Sequence, residues 1–175
     1  LDVTSFSPDA DWKVVNGQLV KKVYVSAAYD ANDDLIGRYE DVQSAIDATG
    51  TKTVVMLANV QLPTLTNPTT RTGALVVAPG KDITLDLDGC TISCDLNSPN
   101  YPANAILIWI KGKLTLDDSS GTNAGTIINT CATSSPWTRT VSVRDGGELV
   151  MNGGTIDSVR GNAMQIASGT VTING

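Results

Sequence analysis

The sequence predicts an all-β fold: a short, single parallel β-helix (β-solenoid) of about four coils, with an N-terminal hairpin and a capping α-helix. Three observations predict it. Short runs of alternating apolar and polar residues recur through residues 74–175. Aliphatic residues or Met return at matching places in those runs. Gly, Asn and Asp, the residues of tight turns, separate them.

The chain has 175 residues, enough for one domain with a sizeable core. Residues 1–37 read as a hairpin extension, and residues 38–175 as a helix followed by β-coils in one domain. Neither "LDVTSFSPDA" at the start nor "TVTING" at the end resembles a signal peptide or a polar tail. Both ends therefore read as cuts from a longer protein, with the last coil incomplete.

Each element has its own signal. "WKVVNGQLVKKVYV" carries apolar runs on either side of Asn16-Gly17, which predicts a hairpin. "YDANDDLIG" is a polar turn. "RYEDVQSAIDATG" predicts a helix over 39–49, because Val42, Ala45 and Ile46 share one face and Gly50 stops it. "TVVMLANV" then opens the first coil.

Four first runs follow: "ALVVAPG", "AILIWIKG", "TVSVRDGG" and "AMQIASG". Each precedes a second run: "DITLDLDG", "KLTLDDSSG", "ELVMNGG" and "TVTING". Third runs begin at "CTISC", "GTIINT" and "GTIDSV". Strand alternation turns these into columns. The first runs place Leu75, Ile106, Val141 and Met164 inside, then Val77, Ile108, Val143 and Ile166. The second runs place Ile83, Leu114, Leu149 and Val171 inside, then Leu85, Leu116, Met151 and Ile173. The third runs supply Ile92, Ile127 and Ile156. The outward column after the loops reads Ala78, Trp109, Arg144 and Ala167.

"YEDVQSAIDATGTKTVVMLANV", "KDITLDLDGCTI", "KLTLDDSSGTNAGTI" and "GELVMNGGTIDS" resemble the repeats of right-handed, pectate-lyase-like β-helices. More narrowly, they resemble those of large secreted or wall-attached bacterial surface proteins of adhesin type. The resemblance covers about residues 38–175. It implies a right-handed coil, in line with the general crossover rule, and an extracellular or cell-surface location. The basic catalytic residue and calcium carboxylates of the lyases do not appear at one matched site, so lyase activity is not carried over.

Composition narrows the chemistry. The net charge is −6, which argues against a nucleic-acid partner and against adsorption to anionic membranes. No apolar run reaches the length of a membrane span. Histidine is absent, which removes the commonest general base and zinc ligand. Cys90, Cys94 and Cys131 read as buried thiols stacked in the coils, with a Cys94–Cys131 bridge as the alternative.

Asp86, Asp88, Asp117 and Asp118 suggest paired carboxylates or a calcium site. Asp86 and Asp117 share a column with Asn152 and Asn174, however, and Asx residues there make turns. Asp30, Asn32, Asp34 and Asp41 mimic the spacing of an EF-hand loop. Leu35 stands where that loop needs Gly, so Asp30, Asn32 and Asp34 remain weak calcium candidates against a solvated turn. No other cofactor is expected.

Three Pro-bearing inserts, 61–73, 95–104 and 132–139, precede successive first runs and stack on one flank. They bring Arg71, Tyr101, Trp137 and Arg139 beside Trp109 and Arg144. Aromatic faces among polar groups suit a glycan or a partner protein. The competing reading is that the loops fold back and bury both tryptophans.

The expected function is non-catalytic: an extracellular module of a larger bacterial surface or secreted protein, acting as a stalk or an adhesin-like binder of a glycan or a surface protein. A polysaccharide lyase or glycoside hydrolase fragment and a phage tail-fibre segment are the alternatives. The strand edge at "TVTING" predicts end-to-end self-association.

Overall fold

The structure is a computed structural model; it describes residues 11–65, 71–96, 105–132 and 138–174. Strands β1 (Trp12–Val15) and β2 (Gln18–Lys21) form the expected hairpin. Asn16 and Gly17 join them with φ of 50° and 75°, the left-handed pair that a tight hairpin turn requires. A second antiparallel hairpin, β3 (Ser26–Tyr29) and β4 (Leu35–Tyr39), follows. Alternation did not announce it, because Ser26, Ala27 and Ala28 are all buried.

Helix α1 (Val42–Asp47) is shorter than expected, since Tyr39 belongs to β4. Asp41 caps its start by accepting the Ser44 N–H at 2.7 Å. Val42, Ala45 and Ile46 face the core as read from their spacing. Lys81 Nζ donates to the carbonyls of Ile46 at 2.9 Å and Ala48 at 3.4 Å, serving the last turn.

The remaining strands form three sheets in which each strand pairs in parallel with its counterpart one repeat later. One sheet holds β7 (Thr72–Val77), β10 (Ala105–Ile110), β13 (Arg139–Val143) and β16 (Asn162–Ile166). A second holds β5 (Thr53–Met56), β8 (Asp82–Asp86), β11 (Lys113–Asp117), β14 (Glu148–Met151) and β17 (Thr170–Ile173), with β3 and β4 added antiparallel beside β5. The third holds β6 (Val60–Leu62), β9 (Thr91–Cys94), β12 (Thr126–Asn129) and β15 (Thr155–Ser158). The chain is therefore mostly β, with parallel sheets, as the sequence leads one to expect.

Among the described residues no strand lies beyond β7 in its sheet, and α1 packs at that edge. Gln43 Oε1 accepts the Val76 N–H at 2.7 Å, and Gln43 Nε2 donates to the Val76 carbonyl at 3.1 Å. One side chain thus satisfies both backbone groups of an edge residue, which blunts that edge.

The second-run and third-run columns stand as read. Ile83, Leu114, Leu149 and Val171 are register partners, as are Ile92, Ile127 and Ile156. The first-run columns need correction in one repeat. Leu75 pairs with Ile108, not Ile106, and Ile108 pairs with Val141. Val77 pairs with Ile110. Ile106 instead pairs with Gly73 and Arg139, and it lies outside the main hydrophobic cluster although it is fully buried. Its neighbour Leu107 is in that cluster. Ala74, Leu107, Thr140 and Ala163 all drop out of the ladder, which marks a bend where the alternation resets.

The slip has a physical cause. The corner after the first strand runs from Val77 to Asp82, from Ile110 to Lys113 and from Val143 to Glu148, so the middle corner is shorter. A shift of two residues leaves inside and outside unchanged, so alternation cannot detect it. The core is built from these aligned Ile, Leu, Val and Met side chains. Each large one, fully buried, contributes about 1.5–3 kcal/mol.

Candidate functional site

The acidic residues come first. Asp86 Oδ1 accepts the N–H of Asp88 at 3.0 Å and that of Ser119, one repeat away, at 2.9 Å. Asp118 accepts Gly89 N–H at 2.7 Å, Ser120 N–H at 3.3 Å and Gly125 N–H at 2.7 Å. Partial burial pushes the Asp118 carboxyl up. The backbone donors of Gly125, Gly89 and Ser120 and the Ser120 hydroxyl outweigh that and hold it below the usual carboxylate range. Asp117 accepts its neighbour's N–H at 2.9 Å. These carboxylates stitch turns within and between repeats. The positive φ of Asp88, 42°, fits the same role.

Asp30 Oδ1 is likewise engaged, accepting Asn32 N–H at 2.8 Å and Asp34 N–H at 3.0 Å in the β3–β4 turn. Among the described residues no group of three or more His, Cys, Asp and Glu side chains is placed to hold a metal ion. Among them, too, no helix is long and apolar enough to cross a membrane.

Cys94 and Cys131 are buried, Cys90 is half-buried rather than buried as expected, and none of the three is in a disulfide. Cys94 stacks between Leu62 and Asn129 in register, and its Sγ reaches the Pro63 carbonyl at 3.4 Å. Burial raises its pKa to about 11, so it packs as an apolar group and is a poor nucleophile at neutral pH.

The flank of the first sheet holds the basic and aromatic candidates. Tyr101 and Trp137 lie outside the described residues. Arg71, Trp109, Arg139 and Arg144 are described. Trp109 is half-buried on β10, and its register partners are Val76 and Ser142, with Gln165 next to Ser142. This corrects the expected column of Ala78, Arg144 and Ala167. Those residues align instead with Lys111: Lys111 N–H bonds Val77 O, Arg144 N–H bonds Ile110 O, and Ala167 N–H bonds Val143 O.

Lys111 Nζ sits 4.3 Å from the centroid of the Trp109 ring, a cation–π contact. The ring face that might have carried a sugar carries an ammonium. Arg144 donates from Nη2 to Gln165 Oε1 at 3.0 Å. Arg139, at the start of β13, is 5% exposed, whereas Arg71 is exposed. Burial lowers the Arg139 and Arg144 pKa values first. Arg144 and Arg71 then lower Arg139 further, and Arg71 lowers Arg144. Among the described residues Trp109 Nε1, Ser142 Oγ and Arg144 Nε are buried with no hydrogen-bond partner.

Two further features escape sequence reasoning. Asn129 is fully buried in register with Cys94, and its side chain lies within hydrogen-bond distance of five groups around it. Its signal is faint: one polar residue closing an Ile-Ile run. The other is a cleft of about 660 Å³ lined by residues including Tyr24, Arg38, Tyr39, Glu40 and Asp41. Its acids are engaged, with Glu40 on Lys13 at 2.7 Å and Asp41 capping α1.

Compared with known proteins, the chain matches no protein-family model, no curated protein and no solved structure.

Proposed function

We propose that this chain is a non-catalytic, extracellular binding module: a short right-handed parallel β-helix of about four coils within a larger bacterial surface or secreted protein, serving as a stalk or an adhesin-like element for a glycan or surface protein. The observation that carries the reading is the use of the carboxylates. Asp86, Asp117 and Asp118 accept backbone N–H groups at the turns, while a hydrolase or lyase needs carboxylates free to face a substrate. Sheets whose strands pair one repeat apart support the coil, and general crossover handedness supports its hand.

The test is a panel of neutral and acidic polysaccharides, screened for binding and for cleavage with and without calcium. Binding without turnover is expected, weakened in Trp109→Ala and in Trp137→Ala. Turnover of any of them overturns the reading.

End-to-end association belongs to the same reading. β15, β16 and β17 end their sheets, and Ile166 and Ile173 are 54% and 65% exposed there. Light scattering across a concentration series should show a dimer or larger species. A monomer throughout would remove self-association from the proposal.

A further inference from the structure

We infer that Arg71, Lys111 and Arg144 form an anion-binding face around Trp109, and that its ligand is a sulfated glycan. This rests on the glycan-binding reading above and specifies the charge of the ligand.

The chain carries a net charge of −6, yet three of its cations gather on one flank. They come from three successive repeats. Arg71 precedes β7, Lys111 follows β10, and Arg144 follows β13. Stacking of the repeats brings them together: β10 lies between β7 and β13, and the Arg144 N–H bonds the Ile110 carbonyl. The arginines are close enough to depress one another's pKa values, and Asp145 is the acid that offsets Arg144. A concentration of like charge in partly desolvated surroundings is relieved by an anion.

Three of the buried unpaired polar atoms point the same way. Trp109 Nε1 and Arg144 Nε are donors, and the Ser142 hydroxyl can donate. All three call for acceptor oxygens. A sulfate ester offers three and remains ionised at any physiological pH. Guanidinium groups pair well with such oxyanions because they are planar and weakly hydrated. A neutral sugar stacked on Trp109 fits less well, because Lys111 already occupies a ring face.

The experiment compares dextran sulfate with dextran, the same polymer with and without sulfate, by biolayer interferometry on the whole chain. Dextran sulfate should bind, with affinity falling as salt rises, and dextran should not. The double variant Lys111→Ala/Arg144→Ala should bind dextran sulfate about tenfold more weakly or worse. The charge-matched control Lys21→Ala/Lys52→Ala should stay within about twofold of the original. If the double variant fails to fold, Lys111→Ala alone should still weaken binding, since Lys111 is only half-buried and lies outside the hydrophobic core.

Equal binding of dextran sulfate by the original and the Lys111 and Arg144 variants overturns the inference, as does equal binding of dextran. If a neutral glycan binds and is lost in Trp109→Ala while dextran sulfate does not bind, the inference falls and the glycan-binding reading stands. If neither class binds, both fall.

Discussion

Asn129→Leu should destabilise the fold by about 3–5 kcal/mol, although leucine has the same number of side-chain heavy atoms and the same branch point as asparagine. Asn129 is fully buried at the end of β12. Its Oδ1 accepts the N–H of Leu96 at 3.3 Å and of Cys131 at 3.1 Å. Its Nδ2 lies within hydrogen-bond distance of Thr138 Oγ1 at 3.2 Å, Ser158 Oγ at 3.3 Å and the Arg160 carbonyl at 3.2 Å. One side chain thereby ties three repeats together where the chain leaves the third sheet. Leucine leaves the Leu96 and Cys131 N–H groups without that acceptor, at about 1–3 kcal/mol each where no water reaches, while the Arg160 carbonyl keeps the Ser158 hydroxyl at 2.6 Å. Asn129→Asp keeps the acceptor but loses the amide donors and sets a carboxylate near the Arg160 carbonyl, so it should also destabilise. Urea denaturation measures both. A loss below about 1 kcal/mol for the leucine variant would show that these groups find other partners.

Gly112→Ala should cost about 3 kcal/mol through overlap alone. A Cβ on Gly112 would run into the carbonyl oxygens of Ala78 and Lys81 in the preceding repeat. Those atoms are backbone and cannot swing away. The same arrangement recurs upward: a Cβ on Gly147 meets the Ile110 carbonyl, and one on Gly169 meets the Gly147 carbonyl. These glycines let successive corners close at strand spacing. Gly121 makes the contrast, with open space around it but a φ of 72°. Gly121→Ala should cost only about 1 kcal/mol, the usual penalty for a left-handed alanine. Denaturant midpoints for the two variants test the ordering. If Gly121→Ala proves the more harmful, close packing of the corners is not what constrains them.

Much of the fold is legible in the residues. Val42, Ala45 and Ile46 announce the buried face of α1, Asn16-Gly17 announces a hairpin, and the Ile83 and Leu85 columns emerge from alternation. The Asx turn role of Asp86 and Asp117 is legible from their column with Asn152 and Asn174. The β3–β4 hairpin is not, because small buried residues carry no alternation. Asn129 is not either, because a satisfied buried amide looks like a loop residue until its partners are placed.

The sequence by itself determined strand content, turn positions and, apart from the bend at Ile106 and Leu107, which residues of each run face the core, because strand alternation and turn chemistry are local. Only the tertiary structure decided how the first runs line up. A slip of two residues preserves alternation, and the register instead depends on corner lengths and on backbone contact at Gly112. That register moves Trp109 from the Arg144 column to that of Val76 and Ser142, and it puts Lys111 beside Arg144. The cationic face exists only through this stacking. Residues far apart in the chain become neighbours when repeats pair, and pairing is a long-range event that no local pattern specifies.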